Sequence, residues 1–307
     1  MSLRLIDAQE LSSLLPMPAA IDALDRAFAS GAVEAGPQRT HVSVDEGAEL
    51  LVMPAVGSAG IGVKLVTIAP ANPGRGLPLI HGLYVLFAPG TLETVGVIDG
   101  SSLTGLRTAA VSGVATRHLA RDGAHRLVLF GAGAQGYSHL DAMGAVRPID
   151  DVKVVSRTTA TAQKLVARAR SMGLTADVAE PDAVSDADIV CTCTTSDRPV
   201  FDGSRLAQGA HVNAVGAYQP HARELDDAVM GRAGSVVVET RSSALAEAGD
   251  VVLPLEAGVL DEDAVVELAE VARGDWGRTG DDAITVFKSV GVAFEDLVIA
   301  RAAFGAA

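Results

Sequence analysis

The residues of this chain that could do chemistry begin with three glycines. Gly131, Gly133 and Gly136 sit in the run LVLFGAGAQG (127–136), directly after an apolar stretch that reads as a strand. In the spacing G-x-G-x-x-G each glycine has its own mechanical use. Gly131 permits a sharp turn, Gly133 lets backbone amides approach a pyrophosphate, and Gly136 lets the next helix pack on its strand. The phosphate charge then rests on a helix N-terminus. A second strand-like run, 152–156, follows after a helix-length gap, the context that separates this fingerprint from a bare glycine-rich turn.

The end of that second strand bears on which dinucleotide is expected. An NAD site ordinarily places a carboxylate there for the ribose hydroxyls. This chain has Ser156, Arg157 and Thr158. A carboxylate would repel a 2′-phosphate, whereas the Arg157 guanidinium can grip one in a charge-assisted fork while the two hydroxyls donate to it. NADPH is therefore expected, with NADH as an alternative.

Those groups need a frame. From about 126 to 252 short apolar runs at 126–130, 152–156, 188–194, 211–215 and 235–239 alternate with helix-like stretches such as 159–172, closed by Gly173. That alternation predicts βαβ units and a doubly wound parallel sheet. Residues 1–112 differ: a helix at 18–30 precedes extended runs at 40–44, 61–68 and 79–87, separated by turn residues, which suggests an antiparallel sheet. The segment 101–119 reads as a capped helix, and 285–304 is apolar at helical spacing. The expectation is an α/β chain whose Rossmann domain (113–284) is inserted in an α+β dimerisation and substrate domain (1–112 plus 285–307).

Composition removes several function classes. The chain has 307 residues, a net charge of −14 and only 4% aromatics, a poor outfit for phosphate backbones or base stacking. An acidic protein that binds a small anion must gather local Arg and Lys. Cys191 and Cys193 lie one residue apart, where a bridge would be strained, and a metal site needs more ligands. They read as small hydrophobes in a reducing compartment. No apolar run suits a bilayer or a signal peptide, so no membrane partner and a cytoplasmic location are expected.

Five further segments carry a resemblance: PQRTHV (37–42), GVKLVT (62–67), IDGSSLTGLRTAAVSGVATRHL (98–119), GAHVNAVGAYQPHARELDD (209–227) and TVFKSVG (285–291). With the glycine turn they make the chain similar to the ornithine cyclodeaminase and mu-crystallin family over nearly its whole length. The resemblance implies a homodimer with a Rossmann domain between its terminal segments. It also implies that Arg39, Lys64 and Arg107 hold a substrate carboxylate beside a nicotinamide, with Lys64 and Arg107 the catalytic pair. Cofactor contacts are implied near Ala134, Gln135, Lys288 and Ser289. Thr194 and Val215 also match, and they fall at the C-terminal ends of expected strands, where an open α/β sheet binds its ligand. His41, His81, His139 and His221 match no catalytic position.

One departure narrows the activity. Where cyclodeaminases carry an Asp that handles the substrate's distal amine, this chain has Tyr218, and Ala222 replaces a Lys of the same segment. A neutral phenol cannot pair with a distal ammonium. The chain thus follows the ketimine reductase (Δ1-pyrroline-2-carboxylate reductase) branch. The expected reaction is NADPH-dependent reduction of a small cyclic imino acid, with Tyr218 among the substrate contacts. An ammonia-releasing cyclodeaminase, an alanine-type dehydrogenase and a non-enzymatic NADPH-gated carrier stay open.

Overall fold

A computed structural model describes residues 3–31, 37, 39–45, 47–57 and 60–305, which part into two compact units, Met1–Arg107 with Val292–Ala307, and Thr108–Gly291. The first unit opens with β1 (Arg4–Ile6), α1 (Ala8–Leu14) and α2 (Met17–Ala29), followed by β2 (Thr40–Asp45), β3 (Ala48–Gly57), β4 (Gly60–Ile68), β5 (Ile80–Phe87), β6 (Thr94–Asp99) and the start of α3 (Gly100–Leu119). Among the described residues the six strands order as β1-β6-β5-β4-β3-β2, antiparallel except where β1 joins β6.

Alternation along β4 sets the faces of this sheet. Gly62, Lys64 and Val66 are buried on one side while Leu65 and Thr67 are exposed on the other, as the two-residue period of a strand requires. β5 alternates in phase, burying Tyr84 opposite Lys64 in the register. Tyr84 also explains Gly62, because any Cβ there would collide with the Tyr84 ring and hydroxyl. α3 starts where the Asp99 carboxylate accepts from the Ser102 amide at 2.7 Å, an N-cap that carries the chain from strand into helix.

The second unit contains β7 (Arg126–Phe130), α4 (Ala134–Val146), β8 (Asp151–Val155), α5 (Thr159–Ser171), β9 (Thr175–Val178), β10 (Ile189–Thr192), β11 (His211–Ala214), α6 (Asp227–Ala233), β12 (Val236–Val238), α7 (Arg241–Glu247), α8 (Gly249–Glu256), β13 (Val265–Glu267), α9 (Leu268–Arg273) and β14 (Thr285–Lys288). Its eight described strands run β13-β12-β14-β11-β10-β7-β8-β9, every pairing parallel. The predicted Rossmann sheet is therefore present, and its strand order reverses between β7 and β10, the position where such sheets open a ligand crevice.

The chain then returns to the first unit as α10 (Ala293–Gly305), which packs on β3, β4, β5 and α2. Leu51, Met53 and Val66 form an apolar patch there with Ala293, and Phe294 meets Phe28 edge-on. Two expectations change. The segment 285–288 is a strand, β14, rather than the start of a helix, because a short buried apolar run does not distinguish strand from helix by period. The changeover between units accordingly lies at 291/292, and at 107/108 inside α3 rather than at 112. β1, β3, β6, β9 and β13 are further strands that sequence patterning did not single out.

Candidate active site

In the second unit the glycine turn has the geometry its spacing implies. Gly131 follows β7 with φ +97°, and a Cβ there would stand 2.5 Å from the Cys193 carbonyl oxygen, so no other residue fits without backbone movement. At Gly136 a Cβ would strike the Gly131 carbonyl. Gly133 is the N-cap of α4, and an added Cβ there meets nothing within 4 Å. Its turn thus opens onto free space with the first amides of α4 uncapped by any side chain, an arrangement suited to a pyrophosphate. Gly133 and Ala134 are exposed, and Gln135 is half-buried.

At the end of β8, the Ser156 hydroxyl pairs with Thr161 and accepts from the Thr158 amide. Arg157 is exposed and reaches the Thr195 hydroxyl at 3.4 Å, which places it beside the loop after β10. The switch-point edge is organised by a group outside the expected set, Glu224. This fully buried carboxylate accepts from the Thr192 hydroxyl (2.8 Å), the Thr194 amide and hydroxyl (2.8 and 2.6 Å) and the Gly216 amide (2.7 Å). It joins the ends of β10 and β11 on either side of Val215, whose amide donates to the Thr192 carbonyl. Burial pushes its pKa up, and Lys288 pulls it down.

Lys288 and Ser289 face inward. The Lys288 ammonium is wholly buried, 2.8 Å from Asp250 and donating to the Ala217 carbonyl. Asp250 in turn accepts from the Glu224 and Leu225 amides. The Ser289 hydroxyl donates to Glu239, which also takes the Val290 and Gly291 amides. Both side chains therefore brace the segment rather than extend from it. Tyr218 lies half-buried against the apolar core of this unit. Of the histidines, His139 and His211 are sealed in, and burial lowers them to about 4 and about 3, so both are neutral at pH 7. His41, His81 and His221 are exposed.

The first unit gathers the three expected cations. Lys64 on β4 is 1% exposed and Arg107 on α3 is 6% exposed, values that leave both needing partners. Two adjacent carboxylates on the first turn of α10 supply them. The Lys64 ammonium lies 2.8 Å from Asp296 Oδ2 and 3.0 Å from Oδ1. Arg107 Nη1 donates to Glu295 at 2.9 Å, and its Nε lies 3.4 Å from Asp296. Burial lowers the Lys64 pKa to about 8; Asp296 holds it up, while Arg107 and Arg39 push it further down. Arg39, half-buried just before β2, is thus one of the charges that act on Lys64. Among the described residues the buried Tyr84 hydroxyl has no hydrogen-bond partner, and burial followed by the Asp296 charge raises its pKa, so it stays a phenol.

Glu295, Asp296, Tyr84 and Glu224 were not singled out as functional in the sequence. For the first two a signal existed: two carboxylates inside AFEDLVIA, an otherwise apolar helix, cannot be buried without cations to meet them.

The family model described as the ornithine cyclodeaminase/mu-crystallin family matches residues 4–306. A Δ1-pyrroline-2-carboxylate reductase of Bacillus cereus is 39% identical over 258 residues, covering 82% of this chain and 79% of the relative. Among solved structures, Thermococcus litoralis Δ1-pyrroline-2-carboxylate reductase in complex with NADH and L-proline superposes with a TM-score of 0.93 at 32% identity, covering 98% of this chain and 96% of that one. An archaeal alanine dehydrogenase dimer with bound NAD gives 0.92 at 30% identity, covering 100% and 96%.

Proposed function

The chain belongs to the ornithine cyclodeaminase/mu-crystallin family and is an NAD(P)H-dependent oxidoreductase acting at carbon–nitrogen bonds, and on that premise we propose that it reduces a small cyclic ketimine carboxylate with NADPH. The substrate is Δ1-pyrroline-2-carboxylate or its six-membered homologue, and the product is proline or pipecolate. One observation carries the reading: a buried pair of cations, Lys64 and Arg107, with Arg39 among the charges that act on Lys64, in a protein of net charge −14. Asp296 and Glu295 offset the cost of burying the pair, and the cationic groups gathered there suit a small carboxylate.

Reduction of C=N consumes one hydride and one proton. The nicotinamide, when bound, supplies the hydride. Gly131, Gly133, Ala134, Gln135 and Gly136 would hold its pyrophosphate, Ser156, Arg157 and Thr158 its adenosine ribose and 2′-phosphate, and Thr194 and Val215 line the same strand ends. Arg39 and Arg107 fix the substrate carboxylate, and so the orientation of the imine. Lys64, mostly protonated at pH 7 with a pKa of about 8, is the proton donor or its electrostatic partner. Tyr218 puts a phenol where cyclodeaminases carry an Asp, so the position offers no carboxylate base for cyclodeamination. Purified protein should oxidise NADPH with either cyclic imine and should release no ammonia from ornithine and NAD⁺. Stoichiometric proline and ammonia from ornithine would restore the cyclodeaminase alternative, and turnover of pyruvate with ammonia alone would favour the dehydrogenase.

The proposal includes a homodimer. The sheet face turned away from α10 presents Val56, Leu65 and Leu83 at 56, 38 and 49% exposure, with Val63 and Val85 half-buried between them. A contiguous apolar face of this kind marks an association surface. Leu65→Glu should therefore yield a monomer by light scattering, and an unchanged mass would exclude this face.

A further inference from the structure

The cations of the first unit are not bare, and their partners come in sequence from one place. Glu295 and Asp296 are consecutive residues of α10, both fully buried: Asp296 takes the Lys64 ammonium and also lies 3.4 Å from Arg107 Nε, while Glu295 takes the Arg107 guanidinium at Nη1. We propose that Asp296 is the positioning residue for Lys64, holding the ammonium charged and aimed within the buried site, and that Glu295 holds Arg107 in the same way. The proposal rests on the reading of Lys64 as a group that acts on substrate.

The physical argument is one of compensation. A lysine taken out of water loses its proton readily, by several pKa units when nothing opposes burial. Among the described residues, these charged or titratable groups bear on Lys64 or on its partners. From α10 come Asp296 and Glu295, from α3 Arg107, from the residues before β2 Arg39, and from β5 the neutral Tyr84. Two of these are cations that oppose protonation. Asp296 is the one carboxylate in contact with the ammonium among the described residues, and its two oxygens bracket it at 2.8 and 3.0 Å.

The geometry locks the helix to the sheet as well. β4 and α10 are joined by a bond spanning 232 residues, and α3 and α10 by one spanning 188. Asp296 and Glu295 sit at the N-terminal end of α10, where the helix dipole favours their negative charge. They are placed to serve as counter-charges to Lys64 and Arg107.

The sequence carries four lysines, Lys64, Lys153, Lys164 and Lys288, so lysine-selective ¹³C labelling gives a spectrum simple enough to titrate each one in the whole protein. Lys64 is assigned by loss of its signal in Lys64→Met. In the wild type its signal should titrate near 8. In Asp296→Asn it should move down by about one pH unit or more, the size expected when an opposite charge in contact is removed, and Asp296→Glu should restore most of the shift. Glu295→Gln should leave Lys64 within a few tenths of a unit. An unmoved Lys64 in Asp296→Asn, or an equal shift in Glu295→Gln, overturns the assignment. Asp296→Ser replaces the Asn variant, with the same expectation, if the latter does not fold. The alkaline limb of kcat for imine reduction should descend in step with the signal; a limb that stays put while Lys64 moves overturns the positioning role. If no imine is reduced at all, the proposed function fails, and the titration still decides the pairing.

Discussion

In the function proposed, the glycine turn of the second unit and the cation cluster of the first do comparable work, each preparing a place for an anion, by opposite means. The turn uses backbone: Gly131 at φ +97° and the uncapped start of α4 supply N–H groups and no formal charge. The cluster uses side chains: Lys64 and Arg107 are buried and stabilised by Asp296 and Glu295. A backbone site made of consecutive residues is cheap to fold and easy to read. A charged site assembled from distant residues depends on every partner, because removing one strands another in low dielectric.

That contrast predicts the largest effect for the cluster. Arg107→Ala leaves Glu295 buried without its cation and should cost about 3–5 kcal/mol of unfolding free energy, read by urea denaturation. Arg107→Ala with Glu295→Gln should recover a good part of it. A single variant as stable as wild type would show that the pair is not the buried unit described.

For the turn the expected losses are smaller and fall on the cofactor. Arg157→Ala should weaken NADPH by about 1.5–3 kcal/mol, roughly tenfold or more, and NADH far less, because a charge-assisted contact to the 2′-phosphate is removed. Calorimetry with both cofactors decides it, and equal losses would show that Arg157 does not read the phosphate. Gly131→Ala should cost about 1–3 kcal/mol in stability through its left-handed backbone and its contact with the Cys193 carbonyl. A fully stable Ala variant would sink that account of the turn.

The second unit should also carry the acid sensitivity. His211 is held at about 3, against an ordinary 6.5, so the unfolded chain binds more protons between those values. Stability is complete above about pH 6.5 and falls as the pH drops toward 3; the contribution lost by pH 5 is about 1–2 kcal/mol. His139, held at about 4, contributes in the same sense, so His211→Gln should reduce but not abolish the slope of unfolding free energy against pH over that interval, whatever its effect at pH 7. An unaltered slope would mean that His211 does not contribute to it.

Legibility in the sequence follows the same division. The dinucleotide turn was readable because its residues are adjacent and glycine has few other reasons to recur at that spacing. The Rossmann sheet followed from the alternation of β7, β8, β10 and β11 with helices, while β14 was hidden because TVFK is short, buried and equally compatible with a helix. In the first unit the cations Lys64 and Arg107 were identified through family resemblance. Their counter-ions were not: two carboxylates in an otherwise apolar helix signal a need for cations, but nothing local in FED says that those cations lie 188 or 232 residues away. Glu224 was hidden for a similar reason, its ligands Thr192, Thr194 and Gly216 lying on different strand ends.

The central claim, that the cluster of the first unit receives the substrate's carboxylate, is tested most directly by comparing reduction of Δ1-pyrroline-2-carboxylate with that of its methyl ester by the wild-type protein and by Arg107→Lys. The account predicts that the free acid is reduced and the ester is not, and that Arg107→Lys loses catalytic efficiency on the acid while binding NADPH as the wild type does. Reduction of the ester as efficiently as the acid would contradict it.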